Sequence, residues 1–325
     1  MSKEKKSIGS IIGEYGAFIA LVLLVVVLGI ISAEFRQPSN FLNLLRQASF
    51  NGLIAFGMTF VILSDGIDLS VGSTFALSAI VCAQLIMKGV PTPVAVLLAL
   101  AVGTGLGLIS GVLVTIGRLQ PFIATLVTMT AYRGLAMIFT DGKPVSRLAE
   151  SASSGAFFFK VLGKGSLMAT FAPAIKIPIP AIILIIAFII CLFVLGRTTY
   201  GRRIYATGSN EKCAKLVGVN TKKIKMSVYA ISGFLAALAG IMMISRVNSA
   251  QPTLGEGYEL DAIAAVALGG TSMSGGRGRI SGTIAGVLII AVLNNGLNIL
   301  GVTSYYQDVI KAIVILVAVL SDRKR

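Results

Sequence analysis

Apolar runs of similar length, broken by short polar connections, organise the whole chain. A helix needs about 20 apolar residues to cross a bilayer core of roughly 30 Å. Runs close to that length cover residues 15–33, 47–64, 69–87, 93–117, 121–140, 177–196, 226–245, 280–300 and 304–320. A shorter run begins near residue 258 and ends at the Gly269-Gly270 pair. The pattern predicts an all-α, polytopic membrane protein with about ten transmembrane helices. The first run follows Lys3, Lys5 and Lys6 and ends in the cleavage-like Ile31-Ser32-Ala33. Its 19 uncharged residues, with further spans behind them, favour an uncleaved helix over a signal peptide. Gly103, Gly107 and Gly111 repeat at i+4, as do Gly282 and Gly286. That spacing clears one helix face so that backbones approach closely in lipid. A dinucleotide-binding glycine loop would need a preceding strand, and the pattern offers none.

Composition agrees with this picture. The chain is 55% hydrophobic and only 13% charged, whereas soluble domains carry roughly 25% charged residues. Its richness in Ile, Leu, Val and Phe excludes disorder. The net charge of +15, from 28 Lys and Arg against 13 Asp and Glu, would suggest nucleic acid in a soluble protein. Placing both termini in the cytoplasm puts seventeen basic residues inside and nine outside, with Arg133 and Lys311 within spans. This is the bias of the positive-inside rule. The charge excess therefore marks sidedness, not a nucleic-acid partner. Residues 1–325 read as one transmembrane domain, with a short cytoplasmic N-terminus over 1–14. The loop 141–176 is external, and the cytoplasmic loop 196–226 holds eight of the inside basic residues.

The chain has no histidine, which excludes Ser-His-Asp, Cys-His and HExxH chemistry of its own. Cys82, Cys191 and Cys213 show no CxxC spacing, and two of them read as small apolar fillers. No catalytic residue, metal site or cofactor is expected.

Three segments interrupt the apolar pattern. Residues 64–73 carry Asp65 and Asp68 among small hydroxyls. They read either as part of a translocation pathway or as a tight cytoplasmic turn in which Asp68 or Ser70 caps the next helix. Both aspartates fall at a span end, and no acid or base is expected buried at mid-span. Residues 251–261 place Glu256, Glu259 and Asp261 ahead of the short tenth run. Acids suit a helix N-terminus through its dipole; they also suit a partly spanning helix whose polar end faces a substrate path. Pathway candidates are Asp65, Asp68, Gln120, Glu256, Tyr258, Asp261 and Asn294. Asn294, Asn295 and Asn298 are also expected to bond between helices. Arg133 should face the protein interior, and Asp308 with Lys311 should neutralise each other at i,i+3. Residues 201–225 are basic, and 209–218 read as a short amphipathic helix with Ser209 or Asn210 as N-cap and Gly218 as its stop. Such a helix is too short to stand alone and would dock on a partner or on the membrane surface.

These same segments carry a resemblance. Over roughly residues 40–322 the chain is similar to the permease subunit of bacterial ABC importers for ribose and related monosaccharides, and within that family to permeases for ribose. The most specific stretch is YELDAIAAVALGGTSMSGGRGRISGTIAG at 258–286. It is supported by GIDLSVGS (66–73), QPFIATLVTM (120–129), GRRIYATGSN (201–210) and LNNGLNILGVTSYYQ (293–307). The resemblance implies a multi-pass protein of the bacterial cytoplasmic (inner) membrane in which two permease copies, surrounded by lipid, form the path. It also implies a cytoplasmic ATP-binding subunit with tandem nucleotide-binding modules and a periplasmic sugar-binding protein. The 209–218 segment corresponds to the coupling helix, with Gly208, Asn210, Glu211, Ala214 and Gly218 at matching positions. Lys212 and Cys213 depart from the small alanines usual there.

The implied function is translocation of a monosaccharide, ribose foremost, with another sugar or small polar solute as the alternative. The chain lacks a phosphate-cradling GxxxxGK[ST], so its energy must come from a partner and it is not itself an enzyme. A self-sufficient secondary transporter would need an ionisable group near mid-bilayer, for which Arg133, Asp261 and Lys311 are the candidates. A membrane enzyme built on Asp65 and Asp68 is the least supported reading.

Overall fold

The computed structural model describes residues 8–151, 156–167 and 177–322. Lys3, Lys5, Lys6, Arg323, Lys324, Arg325 and parts of the long loop (152–155 and 168–176) lie outside the described residues. The first half of the chain forms α1 (Ile8–Ile31), α2 (Pro38–Leu63), α3 (Val71–Met87), α4 (Thr92–Thr115) and α5 (Pro121–Thr140). The long loop contributes β1 (Val145–Ser146), α6 (Leu148–Ser151), α7 (Ala156–Lys164), β2 (Ser166–Leu167) and β3 (Ile177–Pro178). Then come α8 (Ile179–Arg197), α9 (Thr199–Ser209), α10 (Glu211–Leu216), α11 (Thr221–Val247), β4 (Ser249–Ala250), α12 (Tyr258–Leu268), α13 (Ile280–Ile299) and α14 (Ser304–Asp322).

Each of the ten apolar runs is helical, and among the described residues five helices (α4, α5, α8, α11 and α13) are long and apolar enough to cross a membrane. The apolar stretches Gly16–Ile31 and Val71–Met87 are shorter. Proline opens α2, α4, α5 and α8 at N1 or N2, where its fixed φ suits the first turn and its missing N–H costs nothing. One boundary differs from expectation. Helix α2 begins at Pro38, well before the apolar run at residue 47, because a polar first third is helical too. There the Asn40 amide exchanges hydrogen bonds with Asn295 of α13, at 3.0 and 2.8 Å.

Helix α11 is the central post, packed against α4, α2 and α3. Its apolar window is 72% buried against 28% for α5 and α8, which places those two at the periphery. The i+4 glycines account for the close packing. A Cβ on Gly107 would collide with the Tyr229 carbonyl of α11, and one on Gly286 with the Ala265 carbonyl of α12.

The two ends of the bundle differ in charge and in wiring. At the basic end, Gly276 N–H donates to the Leu63 carbonyl (3.0 Å) and Tyr205 Oη to the Gly278 carbonyl (3.0 Å). These bonds fasten α9 and the 269–279 turns to the end of α2. At the opposite end β1 pairs antiparallel with β4, Val145 against Ala250, and Asn248 Oδ1 accepts from Ala149 N–H at 2.7 Å.

Candidate functional site

At the basic end the helix expected over 209–218 is present as α10 (Glu211–Leu216), and a further helix, α9, runs directly into its cap at Asn210. Asn210 is extended (φ −162°, ψ 101°), and its Oδ1 accepts from Cys213 N–H at 3.0 Å. An N-cap there satisfies a free amide of α10 and ends α9 at the same residue. Gly218, at φ +84°, makes the stop. Asn220 then caps α11 by accepting from Lys223 N–H at 3.0 Å. This second cap was missed; its signal was Asn two residues after the stop glycine. Glu211 ties α10 to α11 through Lys225 (2.7 Å) and the Thr221 hydroxyl (3.1 Å), and pairs within α10 with Lys215 (2.7 Å). Burial pushes its carboxyl up, but Lys215, Lys225 and Thr221 hold it down at about 2.

Of the other matching positions, Ala214 is buried, and a Cβ on Gly208 would collide with the Leu63 carbonyl. Asp65 also belongs to this end. It lies in the left-handed region (φ 62°), its backbone faces Gly275, and its charge is coupled to Lys225 and Glu211. Leu216 and Val217 stand 87% and 77% exposed at the tip. A pair of apolar side chains in that position is available to a partner.

Asp68 is placed quite differently from a capping turn. It is 1% exposed. Its Oδ1 accepts from Ser70 N–H (3.0 Å) and Ser70 Oγ (2.6 Å), and its Oδ2 accepts from Ser232 Oγ (2.9 Å). Ser70 is the N-cap of α3 but makes no side-chain cap; its hydroxyl donates to Asp68 instead. Ser232 lies about 16 Å along α11 from Thr221, at 1.5 Å per residue. An acid is thus buried beside the middle of the central helix, where none was expected. Ser110 of α4 and Thr128 of α5 extend the chain of hydroxyls, at 3.3 and 3.0 Å.

The second half-depth break precedes α12. Arg133 of α5 turns inward, as expected, and donates to the Pro252 and Leu254 carbonyls. Its charge also faces Glu256 and Glu259. Gly255 packs directly on Gly72 in the first turn of α3. The Tyr258 ring sits edge-on to Phe75, centroids 5.4 Å apart. Among the pathway candidates, Asp261 of α12 and Asn294 of α13 come together, the amide facing the carboxylate. Lys311 of α14 joins them, its Nζ 3.7 Å from Asp261 and 3.9 Å from Asp308. The expected Asp308–Lys311 pair is therefore one side of a three-charge cluster. Asn298 accepts from Gln307 Nε2 at 2.9 Å, so the expected interhelical bonds of Asn295 and Asn298 are present. Glu256 and Gln120 are exposed, and the Gln120 side chain makes no cap. Among the described residues no three His, Cys, Asp or Glu side chains gather as a metal site.

A bundle with five apolar helices long enough to cross a membrane among the described residues suits a multi-pass membrane protein. A family model described as branched-chain amino acid transport system / permease component matches residues 40–319, and the chain belongs to that family. The ribose import permease protein RbsC of Bacillus subtilis (strain 168) is 51% identical over 310 residues, covering 95% of this chain and 92% of that protein. RbsC of Haemophilus influenzae is 49% identical, covering 97% and 94% of the two chains. The D-allose transport system permease protein AlsC of Escherichia coli (strain K12) is 40% identical, covering 95% and 91%. No solved structure matches the chain. The chain is a permease component, not an enzyme by family, and a multi-pass protein of the inner membrane.

Proposed function

We propose that this chain is the membrane subunit of an ATP-driven importer for ribose. The observation that carries this reading is identity of about one half, over nearly the full length, to permeases named for ribose import. In this reading ten helices cross the membrane with both termini in the cytoplasm, and 141–176 is external. Two copies form the path, a periplasmic sugar-binding protein delivers the sugar, and an ATPase with tandem nucleotide-binding modules docks at the basic end. The bias of Lys and Arg toward 196–226 supports that sidedness.

Gly208, Asn210, Glu211, Ala214 and Gly218 build the coupling element. An ATPase seated on Leu216 and Val217 would move α10 as a unit. Glu211 would pass that motion to α11 through Lys225, and α9 would pass it to the end of α2 across the tight Gly208–Leu63 contact. Tyr258, Asp261 and Asn294 face the path, whereas the carboxylate of Asp68, filled by hydroxyls and one amide, braces the start of α3.

The test is uptake of radiolabelled ribose into liposomes holding the permease, with and without the ATPase and binding protein. Uptake is expected only with all three and ATP. Uptake by the permease alone, driven by a proton or sodium gradient, would overturn the reading in favour of a secondary transporter. The D-allose relative supports a second substrate, for which uncompetitive accumulation of allose over ribose is the deciding result.

A further inference from the structure

The polar cluster where α12, α13 and α14 meet is short of hydrogen bonds. Asn294, 6% exposed, leaves its Oδ1 buried with no partner. Stranding a buried acceptor in this way costs about 1–3 kcal/mol. The Lys311 ammonium, with three N–H donors, stands 3.7 Å from the Asp261 carboxylate and 3.9 Å from that of Asp308. Both separations exceed a hydrogen bond, and polar groups held at such distances are commonly bridged by an oxygen between them. Two independent observations, a stranded acceptor and an under-used donor, thus meet at the same carboxylate, that of Asp261. The cluster is reachable, since the Asp308 side chain is 77% exposed and that of Lys311 23%.

The charge arrangement selects the class of ligand. Two carboxylates repel an anion, and the ammonium between them already fills the place of a counter-cation. What fits is a neutral group that accepts from Lys311 and donates to Asn294 Oδ1 or Asp261. A hydroxyl does both. Adjacent hydroxyls, as on a monosaccharide, would fill both positions at once. We propose that Asp261, Asn294 and Lys311 form a station that binds the hydroxyl groups of a sugar during its passage. The proposal rests on the importer reading above and deepens it by giving the path a chemical contact.

Water offers the same hydroxyl chemistry, so the experiment separates the two. The complete transporter, with ATPase and ribose-loaded binding protein, is reconstituted in liposomes. Asn294→Ala removes the stranded acceptor while leaving the ion pairs in place. It is expected to lower ribose moved per ATP by about two- to twelvefold, the fold equivalent of one net hydrogen bond, with ATP hydrolysis retained. Lys311→Met is expected to act in the same direction. In a Cys213→Ser background, Asn294→Cys should react with a hydrophilic thiol reagent more slowly when ribose is being transported. Unchanged ribose per ATP in Asn294→Ala, or a labelling rate indifferent to ribose, overturns the station and leaves water as its occupant. Absence of ATP-dependent ribose uptake by the wild-type transporter overturns the importer reading and the station together.

Discussion

Asp68 and Asp261 are exposed to 1% and 7%, and each stands near the start of a helix that begins partway through the bundle. Their surroundings differ in kind. Asp68 accepts three bonds of 3.0 Å or less from Ser70 and Ser232, and the Ser70 hydroxyl is linked in turn to Ser110 and through it to Thr128. Asp261 has an ammonium at 3.7 Å and an amide whose oxygen is unpaired. A carboxylate whose lone pairs are filled by the protein holds the fold together. One that is charged, paired at a distance and incompletely bonded is open to a ligand. Burial does not separate these two cases; the count of good hydrogen bonds does.

The largest effect expected from this comparison is on stability. Asp68→Ala strands one buried amide and two buried hydroxyls, and should cost about 3 kcal/mol or more. Asp261→Ala leaves Lys311 with Asp308 and should cost less, about 1–2 kcal/mol. Thermal unfolding of the detergent-solubilised permease measures both, and equal losses would break the contrast. Next in size is Arg133→Ala, which removes two charge-assisted bonds to the Pro252 and Leu254 carbonyls and should cost about 2 kcal/mol. Hydrogen exchange over 250–258 should rise in Arg133→Ala, and Arg133→Lys should restore part of the protection. Unchanged exchange would show that Gly255 against Gly72 suffices to hold that segment.

Most of the helical plan was legible because membrane helices write their length in apolar residues. Helix α5 starts and stops with its run at Pro121 and Thr140, and the glycine repeats marked faces of close packing, whose partners, α11 for α4 and α12 for α13, only the structure gives. Helix α2 was legible only in part, since hydropathy marks the membrane and not the polar turns from Pro38. The depth of Asp68 was not legible at all. Its bond to Ser70 is local and follows from Asp-x-Ser spacing, but the bond to Ser232 spans 164 positions and turns the segment inward. The same limit hid Lys311 from Asp261, whereas the i,i+3 pair with Asp308 was visible in the sequence. At the basic end, Asn210 was expected as a cap, yet the helix before it was missed because it carries mostly polar residues (TYGRRIYATGS).

The coupling element supplies a third carboxylate, filled like Asp68 but near the surface. Glu211 sits near 2 against an ordinary 4.5, so its ionised form is the one that binds Lys225 and Lys215. A depressed pKa contributes stability above about 4.5 that is lost as pH falls toward 2. A fluorophore on Cys213, the exposed thiol of α10, should keep constant polarisation from about pH 8 to about pH 5 and loosen only below that. Glu211→Gln should show the loosened value at neutral pH and lower ATP-coupled uptake. Loss of polarisation already near pH 6 would mean that α10 is held by something other than this carboxylate.

The smallest effect sharpens the contrast from the other side. Gln120 is polar, precedes α5 and caps nothing with its side chain, so by sequence it resembled a pathway residue as much as Asn294 did. It is exposed, and water satisfies its amide at no cost in the free protein. Asn294 has no such outlet in the free protein, since its Oδ1 is buried without a partner. Gln120→Ala should therefore change stability by less than about 0.5 kcal/mol and leave ribose moved per ATP as in the wild type, whereas Asn294→Ala should not. A loss of transport in Gln120→Ala equal to that in Asn294→Ala would show that polar character alone marks the path. The argument from unfilled hydrogen bonds would then fail at both aspartates.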